Sequence, residues 1–516
     1  MLTPEYIESL GGELLGLYDA LEDSIVEDIA RRIVKTGYLT DSAQWEVLQA
    51  QQSGMLMDDV IEQVASVSGY SEYEVRKIFE DAGAESIRID SSYVVQATGK
   101  KIALAESGAM RRLLDENIKL MNREVRNLTG TTAVMSQMSY INATNLAYMQ
   151  VTSGAFSYQT AITRAIKSVA AEGVKIHYPS GRNANIDTAI RRAVVTGVNQ
   201  AAGKLTETYA SEMGCGYYET TAHAGARPSH ATWQGRVFKI KGSDQYPNFY
   251  DATGYGTGEG LCGWNCRHSF HPFYPGISKP AYSAGQLRAY SEKSTSYNGV
   301  EYTDYEASQI QRKQERDIRQ SKRTLSGLNA AIKEAHNEEL LEELNRQYEA
   351  ESVLLKSKEK RLKDFCNQTK RSLDNARTQV HATKDAKGRI VHFDKSAAQR
   401  AVQANKRALA KYSEYHYNKD GTIVVTDHPS RIKQKGMSYE VAEIEKQKGG
   451  VSRYIYDENG ILFKQIDNND HSFPKYHKYG EHGEHAHDIS WTTDGKQIRK
   501  DRDLTDEERK EHADIL

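Results

Sequence analysis

The stretch whose reading decides the rest runs His223-Ala-Gly-Ala-Arg-Pro-Ser-His230-Ala-Thr-Trp233-Gln-Gly235-Arg-Val-Phe238. It resumes at Thr253-Gly-Tyr-Gly-Thr-Gly-Glu-Gly-Leu-Cys262-Gly-Trp264-Asn-Cys266-Arg-His268-Ser-Phe-His271-Pro-Phe-Tyr-Pro-Gly276. Two of the four cysteines, four histidines and two of the four tryptophans fall here among glycines, a mix that neither the helix nor the strand period organises. Thiolate and imidazole are the favoured ligands of tetrahedral Zn²⁺. Cys262-x3-Cys266-x-His268 can offer three of them from one loop, because Gly260 and Gly263 let the backbone curl around an ion. His230, brought in by the Pro228 turn and packed by Trp233, is the expected fourth. The expectation is therefore a structural Zn²⁺ held by His230, Cys262, Cys266 and His268. The competing reading is a metal-free knot whose imidazoles are satisfied by carbonyls. A nucleophilic Cys–His pair has less behind it, since nothing resembling a helix N-terminus follows either cysteine.

The strings Ala224–Gly235 and Gly260–His268 resemble the signature of the phage minor capsid protein family, minor capsid protein 2 type. The likeness continues in the opening helices around Leu14 to Ile33, in Asp41-Ser-Ala-Gln-Trp45 and in Gly69-Tyr-Ser-Glu-Tyr-Glu-Val75. It reappears from Tyr305-Glu-Ala-Ser-Gln-Ile-Gln-Arg312 to Glu315-Arg-Asp-Ile-Arg319. The resemblance implies a virion structural protein acting near the portal in head morphogenesis or DNA packaging. It implies the portal and major capsid proteins as partners, with phage DNA as a further one and no membrane. It implies no chemistry, and the last hundred or so residues look like an addition.

The 516 residues are too many for one core and point to several domains. Lys plus Arg number 68 against 70 Asp plus Glu, so no global charge draws the chain to nucleic acid and any such contact must be local. Four cysteines in this length do not make an extracellular disulfide framework; assembly in the reducing bacterial cytoplasm fits better. Met-Leu-Thr-Pro-Glu-Tyr at the start carries no basic n-region or apolar h-region, and no run approaches a membrane span.

The fold class expected is multidomain and predominantly α, divided at 1–170, 171–300, 301–380 and 381–516. The first segment is helical. Leu14, Leu17, Leu21, Ile25, Ile29 and Ile33 form a stripe on one helix that stops at Gly37. A second helix starts at Asp41 or Ser42, and Val60, Ile61, Val64 and Val67 mark a third. Leu113, Leu114, Ile118 and Met121 share a face, while Met135, Met138, Tyr140 and Met149 read as packing or interface residues. The second segment is a loop-rich α+β domain, opened by a helix from Ile186 to Met213 and carrying the short strand Arg236–Ile240. The third reads as a charged helical hairpin or coiled coil, with Gly327 and His336-Asn337 as interruptions.

The fourth segment is a small α+β module: a hinge at Lys387-Gly388, a helix from Ala397 to Tyr415, then short strands joined at Tyr456-Asp-Glu-Asn-Gly460. Its histidines are dense. His485 and His487 would point the same way on a strand, with His471, His482, Asp467 and Asp470 able to converge on them. Imidazole and carboxylate together suit a divalent metal or acid–base work on a phosphodiester. His471, His485, His487 and Asp467 are the catalytic candidates. The pattern is loosely similar to the C-terminal effector domains of bacterial polymorphic toxins, several of which are nucleases; the plainer alternative is a polar, His-rich surface loop.

Overall fold

The computed structural model describes the chain except residues 11, 38–41, 179, 379, 381, 385–389, 394–401, 408, 411, 413, 418–422, 427–433, 437–439, 446–449, 458–459, 471–478, 493–494 and 514. It is mostly helical with several small sheets and divides into two compact units. The first comprises Met1–Glu334 and Gln368–Asp394, the second Ala335–Asn367 and Lys395–Leu516.

The first unit opens with a short helix α1 (Pro4–Ser9), capped by Thr3, whose hydroxyl accepts the Tyr6 N–H. Every residue of the predicted stripe from Leu14 to Ile33 is buried along α2 (Gly12–Gly37), which ends at the expected glycine. The next stretch departs from expectation. Two separate helices were expected, but the structure runs one helix, α3, from Ser42 to Thr98. The buried positions Trp45, Leu56, Val60, Val67, Val75, Phe79, Ile87 and Val94 keep a helical spacing straight across Gly54, Gly69 and Gly83. Each interior glycine costs only about 1 kcal/mol, so a continuous buried face outweighs three of them. Asp41, one of the two expected caps, lies outside the described residues.

Three helices follow: α4 (Gly108–Gly130), α5 (Thr132–Thr152) and α6 (Tyr158–Glu172), then a hairpin of β1 (Lys175–His177) and β2 (Asn183–Asn185). The central helix of the unit is α7 (Ile186–Glu212), in the place predicted for it. It packs against α2, α3 and α4, and Ile186, Ile190, Val194, Val198 and Leu205 are all buried.

After α7 comes a loop-rich region of short elements: β3 (Tyr217–Thr220), α8 (Pro228–Ala231), β4 (Val237–Lys239), α9 (Phe249–Thr253), β5 (Phe270–Phe273) and α10 (Ala284–Ala289). The strands form an antiparallel sheet in the order β4-β3-β5, with Tyr218 opposite both Phe238 and Pro272. Tyr218, Phe238, Phe249, Phe270 and Trp233 build an aromatic core over it.

A hairpin of β6 (Lys293–Tyr297) and β7 (Val300–Thr303) leads into α11 (Asp304–Glu334). Gly327 does not interrupt α11. It lets the helix approach its neighbours, since a Cβ there would lie 3.3 Å from Ala170 Cβ and 3.5 Å from Val26 Cγ1. The second expected interruption is real: Asn337 caps the next helix by accepting the Leu340 N–H at 2.8 Å. A last pair, β8 (Ala382–Lys384) and β9 (Ile390–Phe393), completes this unit; the expected turn at Lys387-Gly388 lies outside the described residues.

The second unit contains α12 (Glu338–Thr369) and a seven-stranded sheet. Its strands lie in sequence order: β10 (Tyr415–Tyr417), β11 (Ile423–Val425), β12 (Val441–Glu445), β13 (Val451–Tyr456), β14 (Leu462–Asp467), β15 (His485–Trp491) and β16 (Gln497–Arg502). All neighbours are antiparallel except β11 and β12. The six-residue α13 (Asp506–Glu511) follows, with a capping box between Thr505 and Glu508. Of the helix expected from Ala397 to Tyr415, residues 402–407 and 409 are helical; 397–401 lie outside the described residues, and Tyr415 at the predicted end begins a strand instead.

Glycine substitutions test this packing directly. A Cβ at Gly54 or Gly69 meets nothing within 4 Å, so Gly54→Ala and Gly69→Ala should each raise stability by about 0.5–1 kcal/mol. Gly327→Leu forces a side chain between α11 and α6 and should lower it by about 1–3 kcal/mol or more. Denaturant titration of the three variants against the parent checks the signs.

Candidate metal centres

The central loop is built backbone against backbone. A Cβ at Gly260 would lie 2.0 Å from the Gly254 carbonyl oxygen, and one at Gly263 would lie 2.3 Å from that of Gly258, so only glycine fits either position. Cys262 between them takes a left-handed φ of 58°, uncommon for a residue with a side chain. The loop is pinned from below by Asn199 of α7. Its buried amide donates to the carbonyls of Cys266 and His268, both at 2.9 Å.

Pro228 at the first turn of α8 sets His230 over this loop. The structure brings His230, Cys266 and His268 together, all buried. Cys266 Sγ lies 3.7 Å from the Nδ1 of each ring, and the two Nδ1 atoms are 3.4 Å apart. The far nitrogens are held by oxygens: His230 Nε2 at 2.8 Å from the Glu259 carbonyl, His268 Nε2 at 3.1 Å from Gln234 Oε1. Trp233 packs against both rings.

Cys262, the remaining member of the expected set, points elsewhere. Its sulfur faces Asn199 Oδ1 and the His268 carbonyl, each at 3.7 Å. His271 also leaves the knot, stacking on Tyr93 at 3.8 Å with Nε2 3.6 Å from the Glu219 carboxylate. Burial holds His268 well below the usual imidazole range, helped by His223 and His230, and pushes the Cys262 thiol well up. Unassisted nucleophilic chemistry at Cys262 has no support in such surroundings.

The second cluster lies on the sheet of the C-terminal unit. Antiparallel register sets Asp467 of β14 opposite His485 of β15, and His487 opposite both Gln465 and Asp501. Strand alternation then turns His485 and His487 to one face, as predicted. Asp467, His485 and His487 form a buried group. His487 Nε2 is 2.9 Å and His485 Nε2 3.9 Å from Asp467 Oδ2, and His487 Nδ1 is 2.5 Å from Asp501 Oδ1. The Asp467 carboxylate also accepts from Ser452 and, at 2.7 and 3.0 Å, from Gln465 Nε2. The Arg499 guanidinium lies against His487. His482 is exposed and Asp470 packs on Gly483, so neither joins the group; His471 lies outside the described residues.

Residues 2–367 match the family described as phage minor capsid protein 2. The chain belongs to the phage minor capsid protein 2 family. A structural protein of Lactococcus phage LL-H is 23% identical over 354 residues, spanning 61% of this chain and 90% of that relative. No solved structure matches. Membership makes the chain a phage structural protein, with the virion as its place. Among the described residues, no helix is long and apolar enough to cross a membrane. The family match contains the whole central knot and ends ahead of the second cluster.

Sequence reasoning missed four residues that organise these centres: Asn199, Gln234, Ser452 and Gln465. Asn199 carried a usable signal, an amide set among the apolar positions of a helix. The other three have none without the pairing of strands and loops.

The turn before β15 gives a pH test. Glu484 accepts the N–H groups of Glu481 and His482 at 3.1 and 2.8 Å and pairs with Arg509 at 2.6 Å. Burial opposes its charge, but those donors win and hold its pKa down to about 2 from 4.5. A depressed carboxylate stabilises the fold above its ordinary pKa, and that contribution disappears as pH falls toward 2. Arg509→Ala should shift the acid loss of protection in residues 485–502 to higher pH, read by hydrogen-exchange mass spectrometry.

Proposed function

We propose that this minor capsid protein acts near the portal inside the head, in head morphogenesis or DNA packaging, by docking its N-terminal helices on portal or major capsid subunits. The observation that carries the reading is an apolar surface on α5 and α3. Val134, Met138, Leu146, Met149 and Val151 are exposed on α5, Met149 at 64%, and Val47, Met55 and Ile61 on α3. The two helices are locked together beside it by the Trp45–Tyr148 stack at 4.3 Å and by Gln49, whose amide donates to Thr144 and Asn145. Exposed apolar side chains on an ordered scaffold are where a protein partner would gain burial. In this reading 1–170 docks, 171–300 is a rigid centre, 301–380 is a charged helical segment and 381–516 is a C-terminal module. Assembly takes place in the bacterial cytoplasm.

Mass spectrometry of purified particles should find peptides of the central region far below the abundance of the major capsid protein. Absence from mature and immature heads alike overturns the reading. Met138→Glu with Met149→Glu should leave the fold intact and cut incorporation about tenfold, the effect of losing roughly 1.4 kcal/mol of binding.

The tail supports a second reading, a nuclease-like effector carried by the capsid protein. Its specific support is the saturated Asp467 carboxylate. With Ser452, Gln465 and His487 all on it, it suits orienting an imidazole for proton transfer better than ligating an ion. His487 then moves the proton, with His485 and His471 assisting and Arg499 beside a phosphate. The full chain should cleave RNA or DNA in the presence of a chelator. His487→Ala should lower the rate by about a hundredfold or more with the fold unchanged by circular dichroism. Absence of cleavage on either nucleic acid, together with harmless expression in bacteria, leaves the tail as a decoration domain.

A further inference from the structure

We propose that the central knot is a three-ligand zinc site made by His230 Nδ1, Cys266 Sγ and His268 Nδ1, with Cys262 outside the coordination sphere and a water completing it. The argument starts at the far side of each ring. The Glu259 carbonyl can only accept, so the nitrogen facing it, His230 Nε2, carries the proton. Gln234 Oε1 accepts the backbone N–H of His223 at 3.1 Å, which fixes the orientation of that amide. The same oxygen faces His268 Nε2 at 3.1 Å, so this nitrogen too is the protonated one. Both neutral rings therefore turn bare Nδ1 lone pairs inward, 3.4 Å apart. Two acceptors at that distance repel unless a positive centre lies between them. One thiol proton on Cys266 can serve one of the two.

The shape of the triangle identifies the centre. An ion bonded at about 2.0–2.1 Å to nitrogen and about 2.3 Å to sulfur, in tetrahedral geometry, sets N···N edges of about 3.3–3.4 Å and N···S edges of about 3.5–3.6 Å. The edges here are 3.4, 3.7 and 3.7 Å. An imidazole that donates its other nitrogen to a carbonyl or amide oxygen is also the usual support around such ions, and both rings have it. Binding displaces the Cys266 thiol proton to solvent and leaves a thiolate, an imidazole pair and a water around a dication.

Cys262 is kept out by its backbone. The left-handed φ of 58° and the close approach at Gly260 and Gly263 fix its Cβ direction, and its sulfur packs toward Asn199. The site joins α8 to the loop of 254–268, two segments with little regular structure, and so closes the signature region by coordination rather than by a large core.

The test uses the full chain carrying His485→Ala and His487→Ala, which removes the tail cluster as a competing binder. Elemental analysis after growth with zinc should give about one equivalent per chain. Exchange for Co²⁺ should produce the near-ultraviolet thiolate-to-cobalt band. Adding Cys266→Ser should abolish band and metal; adding Cys262→Ser should keep both. Should Cys266→Ser prove insoluble, chelation of the parent and return of Co²⁺ must remove and restore the band. A parent that holds no zinc and gives no band overturns the site, as does retention of metal by Cys266→Ser. Loss of metal in soluble Cys262→Ser overturns the three-ligand assignment.

Discussion

The side-chain amide of Asn199 is the contact on which the arrangement of the first unit turns. A polar side chain on the buried face of α7 would cost stability if left unpaired. It is paired, with its two N–H groups spent on the Cys266 and His268 carbonyls and its oxygen against Cys262. The helical part of the unit is thereby tied to a loop with almost no regular structure of its own. The loop can then afford left-handed residues and backbone-on-backbone glycine contacts that isolated peptides would not hold.

Charge does similar work further along α11. Arg319 reaches Asp187 at 2.5 Å and Arg323 reaches Glu22 at 3.2 Å, both carboxylates being buried. Asp19 beside them is pushed up to about 8, first by burial and then by Asp187 and Glu22, against the pull of Arg319. Glu8 on α1 collects Arg191, Arg267, Arg312 and Arg377. These pairs join segments far apart in sequence. Removing Arg319 or Arg323 leaves a buried carboxylate uncompensated, which is more costly than the intact pair is stabilising.

The two histidine clusters share residue types and differ in chemistry because of what stands behind the rings. In the knot, oxygens hold the outer nitrogens and leave two inner lone pairs with one sulfur. In the tail, a carboxylate already supplied by Ser452 and Gln465 faces the imidazoles, and a second carboxylate and a guanidinium lie beside them. Lone pairs facing one another suit a cation, and a carboxylate behind an imidazole suits moving a proton. Residue composition alone does not distinguish them.

The sequence by itself determined what depends on neighbours along the chain. The α2 stripe, its stop at Gly37, the extent of α7, the break at Asn337 and the shared face of His485 and His487 all follow from period and capping. The signature string likewise carried the family. Tertiary structure decided the rest. The stretch after Ser42 reads as two separate helices, yet α3 runs unbroken through Gly54 and Gly69 because a buried face is worth more than glycine propensity removes. Cys262 and Cys266 look equivalent in the loop, yet only the Cys266 sulfur meets the two imidazoles, because Gly260 and Gly263 fix the backbone on either side of Cys262. Asp467 reads as one acid among several near the tail histidines, and only strand register sets it opposite His485 while Asp470 falls away. Spacing specifies which ligands are available; which of them meet is set by close packing of backbone that spacing does not describe.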